Sequence, residues 1–109
     1  DEETECAITR NKSGLPLEAA TKIVKIVRHL RKHGQYEFAP TIRGCIMIAK
    51  TIKEYGKGVC LHASDPIFSR ICLDVLTSET SRIGSRTTFA KVGQVVKKAM
   101  ELYCSNGTE

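Results

Sequence analysis

The side chains that could do chemistry are one arginine, three histidines and five cysteines, and their spacing sorts them. Arg43 stands in the run Ala39-Pro40-Thr41-Ile42-Arg43-Gly44-Cys45-Ile46-Met47-Ile48-Ala49-Lys50, which continues to Gly56. The pattern predicts a helix. Pro40 suits its first turn, where a missing N–H costs nothing, Thr41 or the residue before Pro40 can cap it, and Gly56 suits its stop. At 100° per residue, Ile42, Cys45, Ile46, Ile48, Ala49, Ile52 and Tyr55 share a broad face. Arg43, Met47, Lys50 and Glu54 fall on a narrow stripe pointing elsewhere. An arginine held in a first turn and aimed off the core can offer a fork of N–H donors to an anion. The same spacing also accommodates an ordinary solvated arginine.

The other reactive types point to no site. Cys6, Cys45, Cys60, Cys72 and Cys104 are odd in number and contain no C-x-x-C pair. Cys6, Cys45 and Cys72 lie at apolar positions of helical patterns, which predicts reduced, buried thiols and a cytoplasmic protein. His29 and His33 share a helix face four residues apart, but no third ligand accompanies them and His62 is distant, so no metal site is expected. No G-x-x-x-x-G-K-[S/T] phosphate loop is present, so the chain alone is expected neither to hold nor to hydrolyse a nucleoside triphosphate. No Ser–His–Asp or Cys–His set is suggested by proximity.

The elements that must position Arg43 follow from periodicity. Residues 1 to 12 predict a short helix with Asp1, Glu2, Glu3 and Glu5 at its positive end, Cys6, Ala7 and Ile8 as apolar content, and Ser13-Gly14 as its stop. Leu15-Pro16 opens a second helix reaching Gly34. Its apolar positions are Leu17, Ala19, Ala20, Ile23, Val24, Ile26, Val27 and Leu30, and its other face carries Lys22, Lys25, Arg28, His29 and Lys32. Gln35-Tyr36-Glu37-Phe38 links it to the Arg43 helix. Residues 57 to 63 form a loop with room for an extended piece. Ser64-Asp65-Pro66 starts a helix striped by Ile67, Phe68, Ile71, Cys72, Val75 and Leu76. Thr77 to Thr88 reads as a flexible polar segment containing Arg82 and Arg86. A last helix, Phe89 to Cys104, turns Phe89, Val92, Val95, Val96, Ala99, Leu102 and Tyr103 inward, and residues 105 to 109 fray. The expected fold is a small all-α bundle of about five helices.

Composition agrees. The chain has 109 residues, 41% hydrophobic and 27% charged, which is ordinary for one folded domain and unlike a disordered segment. No apolar run approaches the roughly 18 residues of a membrane span. The chain opens on Asp1-Glu2-Glu3, with no signal peptide pattern, and reads as a domain cut from a longer protein. A net charge of +5 permits a polyanionic partner without requiring one.

The run from Ala39 to Lys50 resembles the sensor-2 helix of MoxR-branch AAA+ ATPases, most of all those of the GvpN gas-vesicle type and the related Q-type ATPases. Glu3 to Ile8 followed by Ser13-Gly14-Leu15-Pro16, then Ile23-Val24 with Val27-Arg28, and Asp65-Pro66-Ile67-Phe68 with Cys72 to Leu76, fit the same family in order. The resemblance covers residues 2 to 78, and the Pro-Thr-Ile-Arg run is its most specific part. It implies that residues 1–78 are the C-terminal helical lid of such an ATPase, with 79–109 a polar loop and a helix packing on or extending the lid. The Walker elements would lie in a preceding α/β core absent from this chain. Arg43, with Thr41 beside it, would reach the phosphates of ATP and Mg²⁺ bound on that core. The parent would be an ATPase, a homo-oligomeric ring that remodels or assembles a client complex.

Two other classes remain open on the residues alone. Lys22, Lys25, Arg28 and Lys32 could form the partner surface of a nucleic-acid-binding or protein-interaction module. Nucleic acid is the less expected partner, because the Arg43 helix exposes few cations.

Overall fold

The computed structural model describes residues 1–33, 40–56, 60–80 and 86–104, without the side chains of residues 33, 79, 80 and 86–91. The described residues form five helices and no strand: α1 (Glu2–Ser13), α2 (Leu17–His33), α3 (Ile42–Tyr55), α4 (Pro66–Thr80) and α5 (Arg86–Cys104). The all-α expectation holds.

Each start and stop has a local cause. The Thr4 N–H donates to Asp1 Oδ1 at 2.8 Å, capping α1, and Gly14 ends it in the left-handed region at φ 82° with its N–H on the Arg10 carbonyl. Thr41 caps α3. Its Oγ1 accepts the Arg43 N–H at 3.2 Å and its carbonyl accepts the Gly44 N–H at 3.0 Å. Pro40 therefore stands just outside the helix, not in its first turn, and is buried. Gly56 closes α3 at φ 71°, its N–H on the carbonyls of Ile52 and Lys53. Asp65 caps α4, with Oδ1 accepting from the N–H groups of Ile67 and Phe68 and Oδ2 from that of Cys60. The loop before α4 is tied to the end of α5 by the Ala63 N–H on the Cys104 carbonyl at 3.1 Å.

Helices α2, α3, α4 and α5 close a ring of neighbours, α2 on α3, α3 on α4, α4 on α5 and α5 on α2, and α1 lies across α2 and α3. The core is continuous: Ile23, Val24, Ile26, Val27 and Leu30 of α2 meet Cys45, Ile48, Ala49 and Ile52 of α3, Phe68, Cys72 and Leu76 of α4, and Val92, Val96, Ala99 and Met100 of α5.

Several inward assignments change at the margins. Tyr55 and Ile67 border an open groove between α3 and α4 instead of entering the core. Leu17 and Leu102 do the same between α2 and α5, and Ile8 is also exposed. Each lies on the edge of an apolar stripe or in an end turn, where the neighbouring helix no longer covers it. The buried residue of α1 beside Cys6 is Thr9, three residues on and facing the same way. In α5, Met100 and Cys104 take the inward positions. The polar stretch expected to be flexible from Thr77 to Thr88 is helical at residues 77–80, in α4, and at 86–88, in α5, and its residues 81–85 lie outside the described residues. Short polar residues weaken a helix without forbidding it. The linker 35–38, the loop 57–59, Phe89 and the tail 105–109 lie outside the described residues or side chains.

Candidate functional site

Arg43 is the second residue of α3, exposed, on a helix whose Gly44, Cys45, Ile48, Ala49 and Ile52 are buried. Its backbone is pinned by the Thr41 cap, so the side chain leaves from a fixed Cα. Among the described residues its guanidinium forms no ion pair. Five N–H donors on a rigid helix start suit phosphate oxygens. One arginine does not make a phosphate cradle, however. The described chain adds no glycine-rich loop to it, so a nucleotide meeting Arg43 would be held mainly by another domain. Thr41 is exposed too, with its hydroxyl oxygen engaged in the cap.

Upstream, the start of α3 is anchored by a residue that spacing alone does not single out. Arg31, in the last turns of α2, donates from Nε to the Pro40 carbonyl at 2.6 Å. The other two nitrogens of the same guanidinium go to Glu5 of α1, Nη1 to Oε1 at 3.0 Å and Nη2 to Oε2 at 2.7 Å. Arg28 donates a further bond to Glu5 Oε1 at 2.8 Å. Glu5 is half-buried among these partners. Burial by itself would raise its carboxyl pKa, but the hydrogen bonds and positive charges of Arg31 and Arg28 together outweigh it and hold the carboxyl below its ordinary range. The one sequence signal for Arg31 is its position beside Val27 and Leu30, at the edge of the apolar stripe, where a long side chain can bury its stem. Its partners lie 26 and 9 residues away, beyond the reach of any helical period.

The cationic face of α2 is less bare than its sequence. Lys25, Arg28 and Lys32 come together with His29, Arg31, Glu2 and Tyr103 around an open cleft of about 530 Å³. Glu2 lies 3.9 Å from Lys25 and 3.6 Å from Arg28, so α1 lends its carboxylates to the same face. Lys25 also stands 5.9 Å from the centre of the Tyr103 ring, and His29 meets that ring edge-on. Lys22 turns to the neighbouring groove with Leu17 and Leu102. The four cations named from sequence thus divide, and Arg43 and Thr41 line neither opening.

No group of three His, Cys, Asp or Glu among the described residues is arranged to hold a metal. All five cysteines are free thiols, four of them buried. No described helix is long and apolar enough to cross a membrane.

No family model matches the chain, and no solved structure does. Over 95% of its length the chain is 31% identical to the gas vesicle ATPase GvpN of Ancylobacter aquaticus. This similarity supports the AAA+ likeness implied by the Pro-Thr-Ile-Arg run, and it extends past residue 78 into the last helix. The chain spans 29% of that GvpN's length.

Proposed function

We propose that this chain is the C-terminal helical lid of a GvpN-like AAA+ ATPase and that Arg43 is its sensor-2 arginine. ATP and Mg²⁺ would be bound on a preceding core domain, and the lid would close over them, with Arg43 reaching the γ-phosphate. The observation that carries this reading is the placement of Arg43: a capped first turn, a buried opposite face, and a guanidinium directed away from the core. The similarity to an ATPase over nearly the whole chain supports it. In this reading residues 1–78 are the lid, and α5 completes its core from the other side. The parent works as a homo-oligomeric ring in the cytoplasm and couples hydrolysis to the remodelling or assembly of a client complex.

The chemistry asked of Arg43 is electrostatic. Charge shifts over the γ-phosphoryl oxygens in the transition state, and a preoriented guanidinium stabilises it where water would have to reorganise. Arginines in this role supply several kcal/mol, so Arg43→Ala in the full-length ATPase is expected to lower turnover at least about tenfold. The domain should stay folded, because Arg43 fills no core space and exposed substitutions usually cost within about 0.5 kcal/mol. Arg43→Lys should recover part of the rate, keeping charge but losing the fork. Ile48→Ala is the stability control. Ile48 is fully buried, and its truncation should cost about 2–5 kcal/mol. Ile46 is only half-buried and serves less well. Turnover and melting temperature measured side by side decide the matter: parental turnover in Arg43→Ala, or early melting, removes the sensor assignment.

A further inference from the structure

We propose that Arg31 is the positioning residue for Arg43, an assignment that rests on the phosphate-binding reading of Arg43. Its guanidinium joins three elements at once. Nη1 and Nη2 grip both oxygens of Glu5 on α1, and Nε holds the carbonyl of Pro40 at 2.6 Å, one residue before the α3 cap. The Pro40 carbonyl belongs to the peptide plane that leads into Thr41. Thr41 in turn holds the N–H groups of Arg43 and Gly44. Two residues therefore separate the Pro40 carbonyl from Arg43, and each is fixed: Thr41 is the cap and Ile42 opens the helix, with the buried, ring-locked Pro40 behind them.

The arrangement uses Arg31 in a way no other side chain reproduces. Three N–H vectors in one plane reach a carboxylate on one side and a carbonyl on another. A lysine at position 31 would bring one point charge and would have to choose between the two. Glu5 sets the orientation. Its two oxygens fix the plane of the Arg31 guanidinium, and Arg28 also donates to Glu5 Oε1. Without that grip the Nε–H would not be aimed at Pro40. The cluster also ties the direction of Arg43 to the position of α1, so that a shift of α1 against α2 is passed to the start of α3. A misplacement of about 1 Å in a positioning group can cost about a hundredfold in rate.

The test uses the full-length ATPase and four variants: Arg31→Lys, Glu5→Gln, Arg43→Ala and the double variant Arg31→Lys/Arg43→Ala. Steady-state turnover with Mg-ATP gives kcat and KM, and hydrogen–deuterium exchange reads the backbone of residues 40–46. Arg31→Lys is expected to lower kcat about tenfold with KM near the parental value, and to speed exchange at the start of α3. In the Arg43→Ala background the same change should slow turnover no further, because both act through one guanidinium. Glu5→Gln should show the same pattern more weakly, and it carries the test if Arg31→Lys does not fold. Parental turnover in Arg31→Lys beside a slow Arg43→Ala overturns the positioning role and leaves the sensor reading standing. A further, additive loss in the double variant also overturns it. Parental turnover in Arg43→Ala defeats the phosphate reading and the positioning role together.

Discussion

Glu5 is a single carboxylate that holds two arginines, and its titration should be visible in stability. Its folded-state pKa lies below the ordinary 4.5, so its contribution is complete above that value and is lost as the pH falls through the lower, folded value. Glu5→Gln should therefore be less stable than the parent at neutral pH and lose less stability on acidification. Urea unfolding at a series of pH values from neutral to acid checks this; parallel curves for parent and variant would show that the carboxylate carries no linkage. Asp65 adds to the same acid slope. The N–H groups of Cys60, Phe68 and Ile67 lower its carboxyl pKa against a smaller opposing effect of burial, so the Glu5→Gln protein should still weaken in acid.

At the scale of the element, two glycines separate backbone need from habit. Gly14 ends α1 at φ 82°, and a Cβ there would meet only the tip of Lys53 at 3.6 Å. The objection to a side chain is the left-handed backbone itself, so Gly14→Ala should cost about 1–2 kcal/mol. Gly93 lies in α5 with no such constraint, and a Cβ would sit 3.5 Å from the Leu73 side chain, an ordinary contact. Gly93→Ala should stabilise the protein by up to about 1 kcal/mol through helix propensity and a restricted unfolded chain. Thermal melts of the two variants should move in opposite directions; a destabilised Gly93→Ala would mean that α4 and α5 pack more tightly than a methyl allows.

For the whole molecule, the thiols report on closure of the core. Burial pushes the Cys45 thiol up to about 12 and the Cys104 thiol up to about 11, each by desolvation first, and raises that of Cys72 further. Cys60 is the exposed one. Iodoacetamide at neutral pH should label a single cysteine rapidly, at position 60, and the remaining four only at the rate of unfolding. Mass spectrometry of timed samples counts them. Rapid labelling of Cys72 or Cys45 would mean that the ring of α2, α3, α4 and α5 opens locally. Because the thiols are unpaired, reductant and chelator should leave the helical circular dichroism unchanged.

What periodicity determined was the set of elements. Five helices, the glycine stops at Gly14 and Gly56, the Asp65-Pro66 start and the outward direction of Arg43 all follow from local rules: where a Cβ can point at 100° per residue, which side chain can cap a free N–H, and where only glycine bends easily. The Pro-Thr-Ile-Arg run carried the AAA+ likeness as well. The tertiary structure decided what depends on distance through space. Whether Tyr55, Ile67 and Leu102 are covered depends on where a neighbouring helix stops, which no single helix encodes. The cationic face of α2 looked open until α1 laid Glu2 and Glu5 against it. Spacing does not single out Arg31; only the fold brings Glu5 and the Pro40 carbonyl to its guanidinium. A hydrogen-bonded cluster among residues 5, 28, 31 and 40 has no period, because its members belong to different elements and meet only when the core has closed.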